Sequence, residues 1–178
     1  MNNQYFEESE KVCDAKLIDF NEKTGIFHDL ERFDKQHMDF TGYTINKLGE
    51  KTKWNIELKN RNVILQEDGT ISGCTAKGRG YTGETLYIED HKITDLLLDR
   101  IIGYEAVYIN FTVNGYIIVF NLNKLTKRPE KTIKNNIYSK GYEKKEDGRR
   151  QGLYLIDAAI FNNEGKLIKR SGEDFIYE

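Results

Sequence analysis

The chain has 178 residues, 38% of them hydrophobic, and a formal net charge of only −2. This length suits one domain with a buried core, and a net charge this small says nothing for or against a polyanionic partner. Cys13 and Cys74 lie outside zinc-ligand or disulfide-scaffold spacing. With a polar start unlike a signal peptide and no apolar run of membrane-spanning length, we expect a cytoplasmic protein that does not bind membranes.

The first predicted element is a helix over residues 5–21. Apolar residues recur along it at helical spacing, namely Phe6, Cys13, Leu17 and Phe20. Thr24-Gly25 would end this helix. We expect residues 26–36 to form a polar connection containing at most a short turn of helix.

Residues 37–60 predict a β-hairpin with its turn near Leu48-Gly49. Because strand side chains alternate between faces, the odd-numbered residues of 54–59 point away from its apolar face. Antiparallel pairing would place Asp39 beside Glu57 or Lys59. Opposed like charges are destabilising, so a cation is expected there, and Lys59 is itself one source of that charge.

The middle of the chain predicts a short strand, a loop and a second helix. Residues 63–65 favour a strand before a turn at 67–69, and four glycines within 73–83 favour a permissive loop. A helix over about 89–102 would bury a stripe of apolar residues and stop at Gly103: Ile93, Leu96, Leu97 and Ile101.

The C-terminal third predicts two hairpins separated by a basic segment. Asn114-Gly115 favours a two-residue type I′ turn between strands apolar enough to be central in a sheet. Residues 124–150 hold ten bases and four acids, and a final hairpin follows. The expected fold is α+β, a central mixed sheet flanked by helices with an extra C-terminal hairpin, in one domain over residues 1–178 with its core at about 5–123.

Asp39, then seventeen intervening residues, then Glu57-Leu58-Lys59 resembles the motif of the PD-(D/E)XK nuclease superfamily. The resemblance covers residues 5–123: a helix, an Asp-bearing strand, an ExK strand, a second helix and further strands. Met38 stands where proline often precedes the aspartate. The resemblance implies a restriction-endonuclease-like fold, closest in size to resolvases and nucleases of phages or mobile elements.

The chemistry expected of this motif is metal-dependent hydrolysis of DNA phosphodiesters, with RNA left open. Mg²⁺ (or Mn²⁺) prefers oxygen ligands and keeps several waters, so Asp39 and Glu57 would suffice as side-chain ligands. The resemblance adds the backbone carbonyl of Leu58 as a ligand. Lys59 would orient or activate the attacking water and stabilise the phosphate.

Further candidates lie on the two predicted helices. Glu10 falls on the apolar stripe of the first helix, where a carboxylate facing the sheet needs a partner; by resemblance it would complete the metal site, with Glu22 and Glu31 as alternatives. Lys92, and less so His91, would contact phosphate at the start of the second helix. Each of these residues is equally compatible with an ordinary solvated helix turn.

Lys77 and Arg79 lie in the glycine-rich loop, where the backbone could approach a nucleic-acid phosphate closely. The alternative is a mobile loop with incidental charges. Tyr138 and Tyr142 within the basic segment could stack on unpaired bases, or that segment could pack against another subunit.

Two other functions fit the same residues. One is a catalytically silent nucleic-acid-binding module on the same fold, and the other is a structural or phage accessory protein with Asp39 and Glu57 as surface charges. A homodimer is plausible for a nuclease that cuts two strands.

Overall fold

The computed structural model describes residues 3–33, 38–73, 82–98, 102–125, 133–134 and 149–169. Within these ranges the elements in chain order are α1 (Asn3–Thr24), β1 (His28–Arg32), β2 (Phe40–Ile45), β3 (Lys51–Asn60), β4 (Val63–Leu65), β5 (Ile71–Gly73), β6 (Thr82–Gly83), β7 (Thr85–Glu89), α2 (Asp90–Leu98), β8 (Tyr104–Phe111), β9 (Ile117–Asn121), β10 (Ile133–Lys134), β11 (Arg149–Tyr154), β12 (Ala158–Phe161) and β13 (Leu167–Lys169). The α+β class is confirmed.

A seven-stranded mixed sheet organises the fold, in the order β1-β2-β3-β8-β9-β12-β13. Its neighbouring strands are antiparallel except β3 and β8, which run parallel from the Lys53–Tyr104 pair to the Asn60–Phe111 pair. Parallel neighbours need a crossover connection, and the segment holding α2 supplies it. The apolar hairpin β8–β9 is central, as its composition predicted.

The two faces of this sheet bury separate cores. Helix α1 packs on one face through Cys13, Leu17 and Phe20, which confirms the predicted stripe for the side chains that the structure describes. The other face is covered by α2 and by strands of two small sheets, β10-β11-β7 and β4-β5-β6. Among the described residues, no helix has both the length and the apolar character needed to cross a bilayer.

The turn predictions were partly right. Residues 46–50 join β2 to β3, as expected, and the Asn46 side chain accepts hydrogen bonds from the backbone N–H groups of Leu48 and Glu50. The type I′ turn is wrong: it requires positive φ at both central residues, and of Asn114 and Gly115 only the glycine has it, at 84°. A five-residue loop, 112–116, joins the strands instead.

Three other sequence predictions need correction. Residues 26–36 contain β1, which polar composition concealed. Helix α2 begins at Asp90, because Glu89 ends β7. The C-terminal hairpin, β12–β13, extends the central sheet through β12–β9 pairing, so it belongs to the core rather than following it.

Candidate active site

Strand β3 turns its odd-numbered side chains toward α2. Asn55 and Glu57 on this face are only 2% and 3% exposed, because α2 and β7 cover this part of the sheet. The face expected to be solvated is therefore buried at Glu57. Burying a carboxylate is costly unless it is paired, which makes its partners informative.

Asp39 lies directly before β2 and is tied to β3 by two hydrogen bonds. Its N–H donates to the carbonyl of Ile56 at 2.9 Å, and its Oδ2 accepts the N–H of Leu58 at 2.7 Å. Regular pairing of the two strands ends at Phe40 and Ile56. The Asp39 carboxylate thus caps the β2–β3 ladder at the point where β3 continues with β8 as its only strand neighbour. It lies next to Glu57, one of the two positions that the hairpin register predicted.

The Glu57 carboxylate is paired with Lys92, whose Nζ contacts Oε1. The pKa of Glu57 is raised to about 7: burial raises it most, the Lys92 ammonium partly opposes this, and the nearby Asp39 charge adds to the rise. Burial lowers the pKa of Lys92, but the charge and hydrogen bond of Glu57 together with the charge of Glu89 outweigh burial and hold that pKa above its ordinary value. Lys92 therefore stays protonated. The ionised form of Glu57 needs positive charge nearby to be stable.

Lys59 lies two residues along β3, on the same face as Glu57. Lys59 as a whole is exposed to solvent. The pKa of its ammonium group is nevertheless lowered, first by partial burial and then by the positive charges of Lys92 and Arg61. Three cations therefore gather around the end of β3, beside the two acids.

A small pocket of about 50 Å³ opens at this cluster. Its lining combines three cations, two tyrosines and one acid: Lys59, Arg61, Lys92, Tyr87, Tyr108 and Glu89. Such a set offers N–H and O–H donors to an anion, while the two carboxylates on β2 and β3 offer oxygens to a cation.

Arg61 lines this pocket and links the strands around it. Its Nε donates to Asn110 Oδ1 at 2.9 Å, and its Nη2 contacts the Tyr87 carbonyl and the Tyr108 hydroxyl. The guanidinium therefore joins the end of β3 to β7 and β8. Its planar fork suits several fixed acceptors better than a lysine would.

Sequence reasoning missed four of the pocket residues, namely Arg61, Tyr87, Glu89 and Tyr108. Arg61 continues the alternation of Glu57 and Lys59, so its position was a usable signal. Glu89 was assigned to a helix start, although it ends β7, 3.8 Å from Lys92. No sequence pattern indicated Tyr87 or Tyr108 as site residues. Their strands, β7 and β8, are distant from β3 in the sequence and come close to it only in the folded chain.

The structure does not bring Glu10 to the site. Its carboxylate is 58% exposed and 3.4 Å from Arg32, a residue of the unpredicted strand β1. The expectation that it faces the sheet is therefore wrong. The alternatives Glu22 and Glu31 are exposed as well, while Lys77 and Arg79 lie outside the described residues.

The donor set fits a hard divalent cation with few protein ligands. In the described ranges no group of three or more His, Cys, Asp or Glu side chains is arranged to hold a metal. Mg²⁺, however, keeps several waters and needs only one or two carboxylates, which Asp39 and Glu57 provide.

Comparisons of the chain with protein-family models, curated proteins and solved structures found no match.

Proposed function

We propose that this protein is a nuclease that hydrolyses DNA phosphodiester bonds with the help of Mg²⁺ or Mn²⁺. The observation that carries the proposal is the meeting of Asp39, Glu57 and Lys59 at one end of β3. A buried carboxylate with a second acid beside it is costly to maintain, and binding a divalent cation would offset that cost.

The order of elements supports the same proposal. The chain runs in the order α1, Asp39 at the head of β2, Glu57-Leu58-Lys59 on β3, α2 and β8, with β1 inserted before β2 and β4 to β7 inserted before α2. This is the order that the PD-(D/E)XK resemblance implies. In support of the proposal, the two halves of the motif are neighbours, because β2 and β3 pair antiparallel up to Phe40 and Ile56. A chance match would not require this.

Each residue then has a role. Asp39 and Glu57 would hold the cation, with the Leu58 carbonyl as a further ligand, and the bound cation would lower the pKa of water and offset phosphate charge. Lys59 lies on the Glu57 face of β3 and would orient the attacking water. Lys92 holds Glu57 in place and would turn its ammonium toward a phosphate in the adjoining pocket.

A cleavage assay tests the proposal. We expect the protein to cut labelled DNA with Mg²⁺ and to leave it intact in EDTA. Lys59→Ala should lower the rate at least a hundredfold, whereas Lys11→Ala, an exposed change on α1, should leave it unchanged. Salt-sensitive DNA binding without cleavage under any metal condition would contradict the nuclease and favour the silent binding module.

A further inference from the structure

Four polar and aromatic side chains form one row across the central sheet, at the opposite end of β3 from the buried carboxylates. His28 pairs with Tyr43, Tyr43 with Lys53, and Lys53 with Tyr104. Residues paired in register share a face. The row therefore crosses β1, β2, β3 and β8, and spans roughly 14 Å at the usual strand spacing.

These side chains stack on one another at the surface. The rings of His28 and Tyr43 are 5.2 Å apart with an interplanar angle of 23°. Lys51 Nζ lies 4.4 Å from the Tyr43 ring centre, and Lys53 Nζ lies 5.5 Å from that of Tyr104. His28 and both lysines are exposed, while the two tyrosines are half-buried. We call these five residues the aromatic row.

The aromatic row shares its face with the candidate active site. On β3, Lys53 and Glu57 are both odd-numbered and four residues apart, roughly 13 Å at the rise of a strand. Between them lies the row of Thr41 and Asn55, with Glu31 at its β1 end. Asn55 is buried, so the surface that joins the aromatic row to the candidate site runs along β2, over Thr41 and Asp39, which are partly exposed.

We propose that the aromatic row is a docking surface for single-stranded DNA and leads the strand toward Asp39, Glu57 and Lys59; this inference rests on the proposed function. Aromatic rings stack on unpaired bases, whose faces a duplex hides, and lysines neutralise the backbone phosphates. The exposed His28 ring and the two exposed lysines, Lys51 and Lys53, present both kinds of group on one surface.

Fluorescence anisotropy with a labelled oligo(dT) of about 16 nucleotides tests the inference. Titrations are run in EDTA to prevent cleavage, beside a blunt duplex and an oligo(rU) of equal length. We expect Tyr43→Ala and Tyr104→Ala each to weaken oligo(dT) binding about tenfold. Tyr104→Phe keeps the ring and should stay within about twofold. Lys53→Met should weaken binding and flatten its salt dependence, whereas Lys11→Met on the opposite face should do neither.

The outcomes separate the two proposals. Equal or tighter binding of the duplex or of oligo(rU), or unchanged oligo(dT) binding by folded Tyr→Ala variants, would overturn the docking surface. If the alanine variants fail to fold, the oligo(dT) affinities of Lys51→Met and Lys53→Met test the docking surface instead. Unchanged affinity in both variants would overturn it. Oligo(dT) binding through the aromatic row without Mg²⁺-dependent cleavage would support the docking surface and overturn the nuclease proposal. Mg²⁺-dependent cleavage without such binding would support the nuclease proposal and overturn the docking surface.

Discussion

Lys92, in the first turn of α2, contacts Oε1 of Glu57, whose side chain is 4% exposed. This pair joins the helix that covers the sheet to the strand that carries the candidate chemistry. Removing one partner of a buried ion pair leaves the other charge uncompensated, which costs more than the pair contributes. Positioning of α2 and the charge state of the site are therefore coupled.

Lys92→Met should destabilise the protein most where Glu57 is ionised. At pH 8 without metal we expect the free energy of unfolding to fall by about 3 kcal/mol. At pH 5.5 the loss should be smaller, because Glu57 is then protonated and needs no partner. Urea denaturation at both pH values measures the difference, with Lys11→Met as the surface control. An equal loss at both pH values would show that Lys92 acts by packing alone.

Glu57 should make the stability of the metal-free protein depend on pH. Its pKa is raised from 4.5 to about 7 by folding, so between these values the folded state binds more protons than the unfolded state. Its contribution to stability is full below pH 4.5 and is lost as the pH rises through about 7. The corresponding change is roughly 3 kcal/mol.

The Glu57→Gln variant, which lacks this titration, provides the reference. The stability of the natural protein relative to Glu57→Gln should decline from pH 4.5 to about 7 and then level off. Mg²⁺ at pH 8 should restore the natural protein and leave the variant unaffected, since the cation supplies the missing positive charge. Parallel pH profiles of the two proteins would contradict the role given to burial.

Arg61 should be the main structural residue of the pocket. Arg61→Ala removes contacts with Asn110, Tyr87 and Tyr108, and we expect a loss of about 2–4 kcal/mol in urea denaturation. Arg61→Lys should recover only part of this. Arg32→Ala is the matched control: its ion pairs with Glu10 and Asp14 lie at the surface, so its loss should stay below about 1 kcal/mol.

Two substitutions separate the structural and chemical roles of Asp39. Asn keeps an oxygen acceptor for the Leu58 N–H but removes the charge, so Asp39→Asn should fold with nearly unchanged stability. It should nevertheless bind Mg²⁺ at least tenfold more weakly, because a charged ligand is lost. Asp39→Ala should cost about 1 kcal/mol more than Asp39→Asn through the lost hydrogen bond. Urea denaturation and Mg²⁺ titration calorimetry measure the two effects, and unchanged Mg²⁺ affinity in both variants would contradict the assignment.

Sequence periodicity predicted the elements whose apolar faces are regular. The stripe of Cys13, Leu17 and Phe20 predicted α1. The alternation around Trp54 and Glu57 predicted β3 and which of its side chains share a face. The predicted hairpin also brought Asp39 close to Glu57 or Lys59, and the structure selects Glu57, because Phe40 pairs with Ile56.

The remaining features depend on contacts between distant segments. Strand β1 carries the polar run His28–Arg32, and only pairing with β2 makes it a strand. The burial of Glu57 arises from α2, and no local pattern marks a charged residue that a helix will later cover. Arg61, Tyr87 and Tyr108 meet across three strands, so their cluster is visible only once β3 and β8 are known to be parallel neighbours.

The most direct test of the metal site is a crystal soaked in Mn²⁺ and examined for anomalous scattering. We predict one peak between the carboxylates of Asp39 and Glu57, within coordination distance of an oxygen of each, with Lys92 displaced from Glu57 Oε1. A crystal with no such peak at saturating Mn²⁺, in which Lys92 still contacts Glu57, would contradict the account.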